Sequence, residues 1–307
     1  MIDALAEPLR RVLQGQVRRL TAAGGRRVDF TRPPGAPGWF DADAVCWRVH
    51  ADFVPMLVGG IRALLLQALH PLALAAVWDH SDLRGDLRGR LGRTALFIAA
   101  TTYGDAAMAA QAVARVRAIH ASLRGTAPDG RAYAAADPAL LTWVHVAEVS
   151  SFLDAWLLLG GDPLSPQDQD RYYAETARVA QALGATQVPA TRAAAQDYLQ
   201  AMRAQLVGGE RAQAILALLR GLGRGGPRAW LNRPYIDAGC ALLPPWARGM
   251  YGLPEVDRRC DAVLLATLRP NVSLLRWALR DGVAAQARQR LRAASVPEPT
   301  ADASAGI

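Results

Sequence analysis

No stretch of this chain alternates apolar and polar residues convincingly at period two, and β-branched runs are rare. Alanine and leucine dominate instead, residues that lose little side-chain freedom in a helix. That pattern restricts the fold to the all-α class, predicted as a single large multi-helix domain. Punctuation supports it. Asp137-Pro138 and Ser165-Pro166 each put a capping side chain before a proline at the first helical position, where the missing N–H costs nothing. The predicted helices cover Leu5 to Leu20, Asp41 to Gly59-Gly60, Ile61 to His70, Pro71 to Trp78, Arg90 to Tyr103 and Asp105 to Arg124. They continue over Asp137 to Leu159, Ser165 to Gly184, Thr191 to Leu206, Gly209 to Leu222, Asp237 to Cys240, Glu255 to Leu268 and Asn271 to Ala294. Gly125 to Ala136 is predicted as a turn-rich connection. The division expected is an N-terminal helix and linker (1–40), a helical domain (41–294) and a frayed Pro/Ala/Ser-rich tail (295–307).

Composition narrows the function classes. Hydrophobic residues make up 51% and charged residues 20%, a globular balance. All 35 basic residues are arginine, so mechanisms that need a lysine are excluded: a Schiff base, a P-loop phosphate lysine, a lysine general base. The net charge of +8 comes from scattered arginines without aromatic interleaving, so no nucleic-acid partner is expected. Cys46, Cys240 and Cys260 are far apart and form no CxxC pair, which argues against a zinc ribbon or disulfide framework and fits a reducing cytosol. The longest uncharged stretch, Ala63 to Trp78, is broken by Pro71 and falls short of the roughly 18–20 residues of a membrane span. Leu5 to Leu20 is arginine-studded and amphipathic, which suits either a packed terminal helix or a peripheral membrane contact.

Five histidines can be weighed singly. His120 follows Val116-Arg117-Ala118-Ile119 late in a helix. Aliphatic neighbours with arginines one turn away (Arg117, Arg124) suit a haem axial ligand whose propionates meet guanidiniums; a histidine favoured by the helix dipole is the plainer alternative. His70, before Pro71, and mid-helix His145 read as core histidines. His145 and Glu148 are spaced to share a face, but one reversed Glu-x-x-His does not make a di-iron bundle. His50 and His80, beside Asp52 and Asp82, read as polar surface. Arg84, Arg88, Arg90 and Arg93 load a helix start with charge that opposes its dipole, which hints at a counter-anion or a site. Arg90, Arg93 and Thr94 are spaced for one face and offer two cationic donors and a hydroxyl to an oxygen species. Gly221, Gly223 and Gly226 satisfy G-x-G-x-x-G, but a helix-like segment precedes them where a dinucleotide fold needs a strand. There is no C-x-x-C-H, so any haem is held without thioether links.

The strings Gly59-Gly60-Ile61-Arg62 to His70-Pro71, Arg90-Leu91-Gly92-Arg93-Thr94, Val116 to His120, Tyr133 to Pro138 and Trp143-Val144-His145 occur in a telling order. With Pro163-Leu164, Asp170-Arg171-Tyr172 and Leu242-Leu243-Pro244-Pro245, they resemble the MpaB/latex-clearing-protein oxygenase family from about Asp41 to Arg276. The resemblance implies a helical fold holding a non-covalent haem b, with His120 as proximal ligand and dioxygen bound opposite it. Arg90, Arg93 and Thr94 would serve catalysis there, with Arg117, Arg124, His70 and His145 as further cofactor-pocket candidates. Where the latex-clearing branch carries lysine this chain has Arg93, a poor iron ligand, so the distal position is expected open, water-filled or closed by another histidine, His70 first. An apolar, unsaturated substrate (isoprenoid or lipid), dioxygen and an electron donor of no assigned identity are the partners implied. The alternative is a haem- or small-molecule-binding helical protein without turnover.

Overall fold

A computed structural model describes residues 2–21, 28–82, 85–222, 232–255 and 258–293. The predicted tail, the Gly24-Gly25 stop, Arg84 and two of the three glycines of the G-x-G-x-x-G string (Gly223, Gly226) lie outside them, and of the Cys260 side chain nothing is described.

The structure is all-α apart from one hairpin. The helices are α1 (Ile2–Thr21), α2 (Val45–His50), α3 (Phe53–Ala68), α4 (Pro71–His80), α5 (Leu87–Tyr103), α6 (Ala106–Ser122), α7 (Pro138–Leu159) and α8 (Pro166–Leu183). They continue as α9 (Arg192–Met202), α10 (Glu210–Leu222), α11 (Arg233–Ala241), α12 (Pro245–Met250), α13 (Arg258–Ala278) and α14 (Val283–Arg292). The punctuation acts as read: Asp137 accepts from the amides of Ala139 and Leu140, and Ser165 from that of Asp168. Gly184 ends α8 in the left-handed conformation, φ 110°.

α3 and α7 are the central pair. The Gly59-Gly60 stop is corrected here: α3 runs through both residues. A Cβ on Gly59 would lie 2.8 Å from the Ser151 carbonyl oxygen and 2.9 Å from the Phe152 ring, so this glycine lets two backbones approach. In the same way α13 continues through Pro270 where a break was predicted; the lost hydrogen bond is offset by burial of Leu268 and Val272 against Val54, Val58 and Leu159. The turn-rich segment contains an antiparallel hairpin, β1 (Arg124–Thr126) and β2 (Ala132–Ala134), with Gly125 opposite Tyr133.

Buried charge fastens the elements. Arg62 of α3 donates to the Leu242 carbonyl (2.8 Å) and Ser151 Oγ (2.9 Å) and pairs with Asp154 of α7 (2.9 Å). α2 lacks a local cap, and Glu175 of α8 supplies one, accepting from the Val45 and Cys46 amides at 3.2 and 2.9 Å. Arg276 of α13 pairs with Asp52 at the start of α3. α1 packs on α5 and α13; its Arg10 pairs with Asp281 and Glu7, and Gln14 donates to the Ala278 carbonyl at 2.9 Å. Arg290 of α14, fully buried, donates to the carbonyls of Phe30 and Ala36 and so holds the loop after α1. Among the described residues no single helix is long and apolar enough to cross a membrane.

Candidate active site

α1, α3, α5, α7, α13 and α14 enclose a cavity of about 1170 Å³. Its walls are mostly apolar, with Leu57, Ile61 and Leu64 from α3, Leu91 and Ile98 from α5 and Phe152 from α7. Polar and charged side chains of both signs also line it, Asp52, Arg276 and Asp281 among them. Arg90 and Thr94 project from α5, Gln67 from α3, and His50 and Glu148 from the ends of α2 and the middle of α7. A large apolar hollow with a few convergent polar side chains is the usual form of a small-molecule site.

Glu148 stands out chemically. No hydrogen bond or ion pair compensates it among the described residues, and burial alone pushes its carboxyl up to about 7. His50, read from sequence as polar surface, faces inward and is half-buried: its Nδ1 lies 2.9 Å from Thr102 Oγ1 and its Nε2 3.0 Å from the Tyr172 hydroxyl. Burial first, then the charge of nearby His145, lowers it to about 3. The apolar neighbours of His50 in sequence, Val49 and Phe53, carried the only hint of that burial. His145 lies one turn before Glu148; its Nε2 is buried without a partner among the described residues, and burial lowers the ring to about 4. Both imidazoles are neutral near pH 7.

The predicted residues separate. Arg90 and Thr94 reach the cavity; Arg93 does not share their face, because it turns outward, 58% exposed, to pair with Asp86, the cap of α5, at 3.1 Å. Arg90 donates to Ser81 Oγ at 3.3 Å, and burial, then Arg93, lowers its pKa. His120 lies on the inward stripe of α6 with Ala109, Val113 and Val116, partly buried. It is not among the cavity-lining residues, yet it is close enough to Arg90 that this charge adds to burial in lowering the imidazole pKa. Arg117 points to the Ala182 carbonyl at 3.4 Å, and Arg124 is an exposed residue of β1. His70 caps α4, its Nδ1 accepting from the Ala73 amide at 3.4 Å, with its ring against Trp143. Among the described residues no three His, Cys, Asp or Glu side chains converge as a metal site.

Residues 47–281 match the sequence profile of the family described as ER-bound oxygenase mpaB/B'/rubber oxygenase, catalytic domain. The chain belongs to this family. The matched span contains α3, α5 and α7, hence the cavity walls that carry Arg90, Thr94 and Glu148. No curated protein and no solved structure matches the chain.

Proposed function

We propose that this oxygenase-family chain is a haem b-dependent oxygenase acting on an apolar, unsaturated substrate such as an isoprenoid or lipid. The observation that carries the reading is the cavity itself. Its volume exceeds the roughly 300–1,000 Å³ typical of small-ligand pockets, which leaves room for a prosthetic group and an apolar chain together. The residues fit a haem in charge and in ligand chemistry. Arg88 and Arg288 line the cavity without a carboxylate partner among the described residues, as propionates require. His120, behind the wall that carries Arg90, offers a neutral imidazole and is the ligand we favour. The unpartnered Nε2 of His145 makes that residue the next candidate.

Haem supplies what no side chain does, the activation of dioxygen. The chain's own groups do the rest. Arg90 brings fixed positive charge, and Thr94 a hydroxyl donor, to the wall where negative charge would develop. Arg93, held by Asp86, steadies the first turn of α5 that positions both. Glu148, with a carboxyl near 7, can take or release a proton at neutral pH. Leu57, Leu64, Leu91, Ile98 and Phe152 align an apolar chain and exclude water.

An absorption spectrum of the purified protein tests the cofactor: a Soret band is expected, and its loss in His120→Ala. A band that survives in His120→Ala and disappears in His145→Ala moves the ligand to α7. Oxygen uptake with an unsaturated isoprenoid separates an oxygenase from a binding protein, since a binder shows the band without consumption.

A further inference from the structure

Glu148 is a costly residue to keep in this position. An uncompensated carboxyl in an apolar wall is unfavourable whether charged or neutral, unless the ligand provides what the protein withholds. It has no hydrogen bond and no ion pair among the described residues, and it faces the cavity rather than the packed core. Its neighbour His50 cannot serve it, because both ring nitrogens are engaged by Thr102 and Tyr172. Phe152, one turn after Glu148 on α7, stacks edge-on against His50, centroids 5.7 Å apart.

The chemistry of the carboxyl itself selects among the polar groups that can meet it. Charged side chains of both signs line the cavity: Glu7, Asp52 and Asp281 stand in ion pairs, and Arg88, Arg90 and Arg288 have no carboxylate partner among the described residues. An ammonium pairs only with the ionised carboxylate, and a carboxylate is accepted only by the neutral acid. A hydroxyl meets neither obstacle. It donates to a carboxylate and accepts from a carboxylic acid, so it pairs with Glu148 in either protonation state. We propose that the substrate is a long-chain or isoprenoid alcohol, its hydroxyl bonded to Glu148 and its apolar body laid along Leu57, Leu64, Leu91 and Ile98. This deepens the oxygenase reading, resting on the cavity as its substrate site, and makes Glu148 a specificity residue that touches substrate.

The test is equilibrium binding to the full chain as purified, with dodecanol, dodecyl methyl ether, dodecylamine and dodecanoate as probes. The ether keeps the chain and the acceptor but lacks the donor. Wild-type protein is expected to prefer the alcohol to the ether by about tenfold or more, with the amine and the acid weaker still. Glu148→Leu should erase the alcohol–ether difference while keeping affinity for the ether, and Glu148→Gln should retain part of it. Thermal melting confirms that both variants fold; removing a buried carboxyl is expected to raise, not lower, the midpoint. Equal binding of alcohol and ether by wild type, or an undiminished preference in Glu148→Leu, overturns the proposal. Because binding is read without turnover, an alcohol preference in a protein without a Soret band would sink the haem reading alone. A Soret band without the preference would sink this one alone.

Discussion

Arg62 shows what a buried charge does here. Its guanidinium meets a carbonyl, a hydroxyl and Asp154 at once, and thereby joins α3 to α7 and to the residue after α11. Arg62→Met leaves those acceptors unpaired, and urea denaturation should show a loss of about 2–3 kcal/mol, below the usual range because Asp154 keeps Arg192 and some water. Acid sensitivity follows from His50. The folded protein holds this ring neutral down to about 3, whereas the unfolded chain protonates it at 6.5. The unfolded state therefore binds more protons between those values, and stability falls as pH drops through that window. Glu148 acts in the opposite sense between 4.5 and about 7, where the folded state holds a proton that the unfolded chain has released. His50→Gln should flatten the decline by about one proton's worth of slope, read from urea midpoints across the window.

At the scale of elements, the two adjacent glycines of α3 have opposite duties. Gly59 faces the backbone of α7 at contact distance, while a Cβ on Gly60 would find only Phe152, at 3.9 Å. Gly59→Ala should cost about 1–3 kcal/mol through forced separation of α3 and α7. Gly60→Ala should be neutral or stabilising by up to about 1 kcal/mol, since alanine is the better helix former. Thermal or chemical unfolding of the pair distinguishes them. This is also where the sequence stopped being readable. Caps such as Asp137 and Ser165 act on their own amides and are legible locally, whereas a glycine that ends a helix and one that admits a neighbour look alike until the neighbour is known. Pro270 misled for the same reason, because the burial that carries α13 past it comes from α3 and α7. The site was legible on α5, where Arg90 and Thr94 reach the cavity, and not on α2. His50 sits beside polar Asp52 in sequence, and only the folding of α8 over it, bringing Tyr172, reveals an interior residue.

For the whole molecule, the cavity is a product of both ends of the chain. α1 contributes Arg10, Gln14 and Val17 to its boundary, and α13, the turn after it and α14 contribute Leu275, Leu279 and Val283. Arg10 and its partner Asp281 join these walls. Arg10→Ala should leave the central α3–α7 pair intact while raising amide hydrogen exchange in α1 and accelerating ligand release. The Arg290 anchor carries a consequence for biosynthesis. The loop it holds, Phe30 to Ala36, is made before α3 and α7, and the guanidinium that fixes it after them. A nascent chain still lacking α13 and α14 is without two walls of the cavity, so a ligand can be held in full only after those helices are made.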